Sequence, residues 1–312
     1  MIEPTLKYVP CPGPAAAGNT AEGHRMAYWE WNATGDPHHP HVILCVHGLS
    51  RQGRDFDTLA RRLCGRARVV CPDVVGRGHS DWLADPMGYQ LPVYVTDMLT
   101  LLNQLHHEAP IVQLDWVGTS MGGLLGMGVC GLPDLPLPVP VRRLVLNDVG
   151  PSLEWKALQR IGQYLGRPAH FESLQQAADA LWAVSSSFGP HTPQEWLELS
   201  RAMVRPAPQG GFLLHYDPAI AVAFSALTPE AASAGEQQMW QLYDQIRARV
   251  LLLRGEQSDL LSPQTAQQMT GRGPHARLVV FADVGHAPTL MHDDQVAVVS
   301  EFLFDAPEEA PA

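Results

Sequence analysis

The sequence predicts an α/β fold, a mostly parallel sheet with helices on both faces. Three observations predict it. Short apolar runs rich in β-branched residues recur along the chain, and several are followed by helix-like stretches. With 46% of 312 residues hydrophobic and 17% charged, the chain has the means to bury a sizeable core, which excludes global disorder. One stretch of about 100 residues lacks strand-like runs, which is too long for a connection and points to an insertion.

The strand-like runs are His41 to Val46, Arg68 to Pro72, Ile111 to Val117, Val141 to Leu146, Val250 to Leu253 and Arg277 to Phe281. Helical patterns fill the intervals: Asp55 to Leu63, Val93 to His106, Gly122 to Cys130 and Pro263 to Thr270. From Ser152 to about Arg249 the patterns are helical, with a turn or short hairpin near Gly210 to Pro218. The division is therefore a core over 24–151 and 249–305, a helical insertion over 152–248, and loosely held ends over 1–23 and 306–312, which are rich in Pro, Ala, Gly or acidic residues. Trp155, Trp182, Trp196 and Trp240 fall in the insertion, where they pack it or wall a pocket.

Lys and Arg total 21 against 32 Asp and Glu, a formal charge of -11 that opposes binding to nucleic acid or anionic lipid. No long uninterrupted apolar run or export signal is visible, so a soluble protein is expected, with no membrane partner. Five cysteines, Cys11, Cys45, Cys64, Cys71 and Cys130, show no C-x-x-C spacing, which fits a reducing cytoplasm. His38, His39 and His41 lack a partner cluster and read as solvated rather than as metal ligands.

Gly118-Thr119-Ser120-Met121-Gly122 follows a strand and precedes a helix. In this G-x-S-x-G arrangement the chain turns sharply, the glycines let backbones pass, and Ser120 stands exposed at the strand end. A serine hydroxyl is a poor nucleophile near neutral pH, so it needs a base, and the base needs an acid to fix its tautomer. His286, just after the last strand, is the expected base. For the acid, Asp259 in the loop after Val250 to Leu253 is preferred, with Asp148 and Glu256 as rivals read as a turn residue and a surface charge. Acyl transfer needs preplaced donors for an oxyanion, here the backbone N–H groups of Leu49 and Met121. His47 reads as structural with a lesser case for substrate contact, Arg51 and Arg54 as solvated or carboxylate-binding, and Trp82 as bordering the pocket or covering the core. No metal and no organic cofactor is required.

These residues carry a resemblance. His47-Gly48, Asp73-Val74-Val75-Gly76-Arg77-Gly78-His79-Ser80, the Ser120 elbow, Asp259 and Gly285-His286 fall in the order of the α/β-hydrolase superfamily, over about Val42 to Phe302. The resemblance implies an α/β-hydrolase fold with an eight-stranded core and a helical cap inserted after the sixth strand. Ser120 at the elbow disfavours the relatives with an aspartate nucleophile, haloalkane dehalogenases and epoxide hydrolases. Leu146-Asn147-Asp148-Val149-Gly150-Pro151 with the elbow is also similar to bacterial intracellular carboxylesterases of the 3-hydroxybutyrate-oligomer hydrolase kind. The expected activity is hydrolysis of a carboxylic ester of small or medium size through an acyl-enzyme, with hydroxyalkanoate oligomers among the candidate substrates. The alternatives are a C–C hydrolase of ring-cleavage products, an enol-lactonase, or a ligand-binding protein of the same fold without turnover.

Overall fold

A computed structural model describes residues 2–13, 15–16, 19–20 and 23–305. Eight core strands are numbered here along the chain: β1 (Thr5–Cys11), β2 (His24–Trp31), β3 (His41–Val46), β4 (Arg68–Asp73), β5 (Gln113–Thr119), β6 (Val141–Asn147), β7 (Arg249–Gly255) and β8 (Arg277–Phe281). They form one sheet in the order β1-β2-β4-β3-β5-β6-β7-β8. Pairing is antiparallel for β1 with β2 and β2 with β4, and parallel from β4 across to β8.

The helices are α1 (Asp57–Leu63), α2 (Leu91–Glu108), α3 (Met121–Gly131), α4 (Trp155–Tyr164), α5 (Leu174–Ser185), α6 (Pro193–Arg201), α7 (Ile220–Ser225), α8 (Pro229–Gln245), α9 (Pro263–Gly271) and α10 (Asp293–Phe304). Every residue of β3 and β4 is buried, because both faces of the sheet are covered. Side chains of a strand alternate between faces. Accordingly Val42, Leu44 and Val46 join the core beneath α2 and α3, while Ile43 and Cys45 join the one containing α1 and α10 residues. Helix α2 seats Tyr94, Met98, Leu101, Leu102 and Leu105 on the sheet, the spacing of one helical face.

Four expectations change. Within the segment expected to be loose, Thr5–Cys11 is a strand paired with β2 along its whole length, while 306–312 lie outside the described residues. The segment after β6 holds a three-stranded sheet of His170–Phe171, Val204–Pro206 and Phe212–Leu214, so the hairpin expected near Gly210 gains a third strand. Helix α8, placed by sequence in the insertion, packs on α3, and Tyr243 is fully buried with its hydroxyl donating to the Met269 carbonyl at 2.7 Å. Its packing is that of a core helix. His41 is buried and bonds Asp115 at 2.7 Å rather than standing in solvent.

Candidate active site

Strand β5 ends and α3 begins at Ser120, which holds φ +51° and ψ −117°. A non-glycine residue in that region costs about 1–3 kcal/mol and persists only where its surroundings over-determine it. Here they do. A Cβ on Gly118 would overlap the Gly122 carbonyl and one on Gly122 would overlap the Val46 carbonyl, so only glycines let α3 start this close to β3. The Ser120 N–H donates to the Asn147 carbonyl at 3.0 Å. The Asn147 side-chain amide, from the end of β6, donates to Thr119 Oγ1 at 3.0 Å and to the Pro288 carbonyl at 2.8 Å, tying the serine turn to the loop that carries His286.

His286 Nε2 lies 3.0 Å from Ser120 Oγ, and His286 Nδ1 lies 2.7 Å from Asp148 Oδ2. Asp148 is fully buried, sits immediately after β6 at φ +54°, and also accepts from the Gly255 N–H at 2.9 Å and the Ser258 hydroxyl at 2.6 Å. Three donors around one carboxylate lock its rotamer.

Asp259, the expected acid, does not reach the imidazole. After β7 the loop is pinned by Gln257 N–H to the Val284 carbonyl and Ser258 N–H to the Gly255 carbonyl, at 2.8 and 3.0 Å. That turn puts Ser258 against Asp148 and directs Asp259 outward, into a two-pronged pair with Arg160 at 2.7 and 2.9 Å. Glu256 is exposed as expected. Asp148 thus stands where the sequence reading had put Asp259, and its reading as a turn residue is corrected. Ser258 and Asn147, which hold this geometry, were not singled out from the sequence, because nothing in a lone serine or asparagine marks it as a support.

His47 is structural, as its preferred reading has it, and the lesser case for substrate contact falls, since it does not line the cavity. It is fully buried, accepts the Val74 N–H on Nε2 at 2.9 Å, and therefore carries its proton on Nδ1, which donates to the Gly48 carbonyl at 2.7 Å. Burial pushes its pKa down to about 3, so it stays neutral. The Gly48 carbonyl also accepts from the Arg51 N–H at 3.1 Å. In a trans peptide the N–H points opposite the carbonyl, so fixing the Gly48 oxygen turns the Leu49 N–H to the other side. Leu49 lines the cavity beside Ser120, and Arg77, fully buried, holds its carbonyl at 2.8 Å. Met121 opens α3, so its N–H has no acceptor within the helix. Among the described residues no backbone acceptor is found for either N–H.

The cavity above Ser120 and His286 has a volume of about 240 Å³. Its apolar wall comes from the segment after β6, including Ile161, Tyr164, Phe171, Leu181, Phe188 and Leu214. None of the insertion's tryptophans lines it. Trp182 packs edge-on to Trp196 at 5.0 Å, and Trp240 lies against Tyr243 on α8. Trp82 is exposed under Arg205 and does not line the cavity either. Arg51 does line it, already gripped by Asp55 at 2.6 and 2.8 Å, while Arg54 pairs with Asp57. The Ser187 hydroxyl donates to the His286 carbonyl at 3.2 Å, and the Ser187 carbonyl accepts from Gly285, so the insertion clamps the histidine loop. The metal-ligating residue types that do gather, Cys11, His24 and Asp97, are buried and share no residue with the cavity.

A hydroxyl, an imidazole and a buried carboxylate in line, at the foot of a pocket, form an arrangement suited to acyl transfer. The alpha/beta hydrolase family model matches residues 43–300. The chain belongs to the α/β-hydrolase family. It is 49% identical over 306 residues to a 3-hydroxybutyrate-oligomer hydrolase of Cupriavidus necator, covering 97% of this chain and 99% of that one. An esterase of Mycobacterium tuberculosis is 27% identical over 271 residues, covering 85% of this chain and 81% of that one. Among solved structures, an alpha/beta hydrolase of Novosphingobium aromaticivorans superposes with a TM-score of 0.80 at 34% identity, covering 97% of this chain and 99% of that one. The chain is a carboxylic ester hydrolase of this family, and no helix among its described residues is long and apolar enough to cross a membrane.

Proposed function

We propose that this chain hydrolyses short linear esters of hydroxy acids, of the 3-hydroxybutyrate-oligomer class, through an acyl-enzyme on Ser120. The observation that carries the reading is the unbroken line from Asp148 through His286 to Ser120, 2.7 and 3.0 Å, opening on a mostly apolar cavity that also contains arginines. The likeness to the Cupriavidus necator oligomer hydrolase along nearly the full chain supports the substrate class.

In the first half-reaction Ser120 Oγ bonds to the ester carbonyl carbon as its proton passes to His286 Nε2. The Leu49 and Met121 N–H groups receive the negative oxygen. The tetrahedral species collapses by breaking its bond to the alcohol oxygen, which takes the proton from His286. In the second half-reaction the same imidazole draws a proton from water, the hydroxide adds to the acyl carbon, and Ser120 leaves with the proton returned. Asp148 holds Nδ1–H and stabilises the imidazolium in both halves. The five free thiols suit a reducing cytoplasm as the place of action.

The test is a panel of hydroxybutyrate dimers and trimers with p-nitrophenyl butyrate, run on the wild type and Ser120→Ala. Turnover of the oligomers and its loss by about 10³-fold or more in the variant is expected. An active Ser120→Ala protein, or a wild type that cleaves none of these esters, rejects the reading.

A further inference from the structure

Three arginines line the cavity: Arg51, Arg160 and Arg167. Two are already neutralised by two-pronged carboxylate pairs, Arg51 with Asp55 and Arg160 with Asp259. Arg167 makes no ion pair and no side-chain hydrogen bond with the described residues, although it lies on the wall that also holds Arg160 and Tyr164.

Its place is set by the backbone. Tyr164 ends α4, Leu165 is extended at ψ 131°, Gly166 takes φ +72°, and the Arg167 N–H returns to the Tyr164 carbonyl at 3.3 Å, a type II turn that requires glycine at its third position. A Cβ on Gly166 would sit 2.6 Å from the Pro218 carbonyl oxygen, so the turn is wedged against the start of α7. The Gly166 N–H donates to the hydroxyl of Tyr216, another cavity residue, at 3.2 Å. A fixed turn therefore carries a free guanidinium onto the rim of an otherwise apolar pocket, in a chain of net charge -11.

We infer that Arg167 is the subsite for the terminal carboxylate of the substrate, so that this hydrolase selects esters whose leaving alcohol is itself an acid. The inference rests on the ester-hydrolase reading above. A guanidinium offers paired donors that match a carboxylate. A neutral ester of the same length fills the apolar wall equally well and leaves those donors without a partner. Arg51 and Arg160 do not replace Arg167, because each already faces a carboxylate of the chain.

The experiment compares kcat/KM for the 3-hydroxybutyrate dimer and for its terminal carboxamide, which keeps shape and scissile bond but removes the charge. It uses the wild type, Arg167→Met, Arg167→Lys and Arg167→Glu, with thermal melts to show that each variant is folded. The wild type is expected to favour the acid, less so at high salt because the site is exposed. Arg167→Met lowers the acid-to-amide ratio by about two- to fivefold, the size suited to an exposed charge pair, with the change in KM. Arg167→Lys recovers part of it and Arg167→Glu inverts the preference. Equal kcat/KM for the two dimers in the wild type, or an unchanged ratio in folded Arg167→Met, overturns the assignment while leaving the hydrolase reading intact. A wild type inert toward both dimers and toward p-nitrophenyl butyrate overturns the hydrolase reading itself.

Discussion

Replacing Asp148 by Asn keeps the volume of the side chain and removes its charge. The carboxylate accepts from Gly255 N–H on one oxygen and from Ser258 and His286 on the other. An amide has one oxygen for these three donors. If its NH₂ faces Gly255, two donors meet in a buried site, at a cost of about 1–3 kcal/mol. If it faces His286, it donates to Nδ1 and drives the imidazole proton to Nε2, where it points at Ser120 and the base is lost. In either arrangement the imidazolium loses its counter-charge. A loss of about 10³- to 10⁴-fold in kcat follows, or about 4–5.5 kcal/mol of barrier. Asp259→Asn removes only a half-exposed partner of Arg160, so kcat changes by less than about tenfold and stability by less than about 1 kcal/mol. The assay is turnover of p-nitrophenyl butyrate by folded variants. Equal losses in the two, or a D148N enzyme within tenfold of wild type, refutes the assignment of Asp148 as the acid.

Gly122→Ala places a Cβ on the Val46 carbonyl, where backbone on both sides prevents relaxation, so urea unfolding shows a loss of about 3 kcal/mol or more; a loss below 1 kcal/mol contradicts the packing described. Stability falls in mild acid. Burial holds His47 and His215 down to about 3 and about 4, against 6.5 for the free side chain, so below 6.5 the unfolded chain binds more protons and gains on the fold. Asp73 opposes this: pushed up to about 6 by burial, it is less costly to bury as pH falls toward 3.8. Taken alone, His47 and His215 against Asp73 leave a loss of about 3 kcal/mol between pH 7 and pH 4.5; the lowered His79 and His191 add to it and the raised Asp55 and Asp97 oppose it, and the fall is seen as a lower urea midpoint. A midpoint that rises over this interval contradicts the neutral burial of the two imidazoles.

Much of this was legible in the sequence because strands buried on both faces read as unbroken apolar runs. His41–Val46 and Arg277–Phe281 were bounded to the residue, and the other four parallel strands differ only at their ends. Strands β1 and β2, at the antiparallel end of the sheet, were not delimited, because they mix Lys7, Arg25 and Glu30 with apolar residues and offer no such run. Ser120 and His286 stood out because an elbow between strand and helix needs its glycines in place. The acid did not. Asp148 and Asp259 both follow parallel strands that pair with each other, and which one turns inward depends on hydrogen bonds from the Ser258 hydroxyl to Asp148 and from the Gln257 N–H to the Val284 carbonyl that no spacing encodes. The cavity wall was equally hidden, since Tyr164, Phe171, Phe188 and Leu214 come from separate elements and the more conspicuous tryptophans pack elsewhere.

The contact at the centre of the account is a proton shared between His286 Nδ1 and Asp148. Proton NMR of the resting enzyme measures it without reference to any substrate. A strongly downfield exchangeable resonance, present in the wild type and in Asp259→Asn and absent in Asp148→Asn, is the predicted result. Its survival in Asp148→Asn, or its loss in Asp259→Asn, contradicts the account.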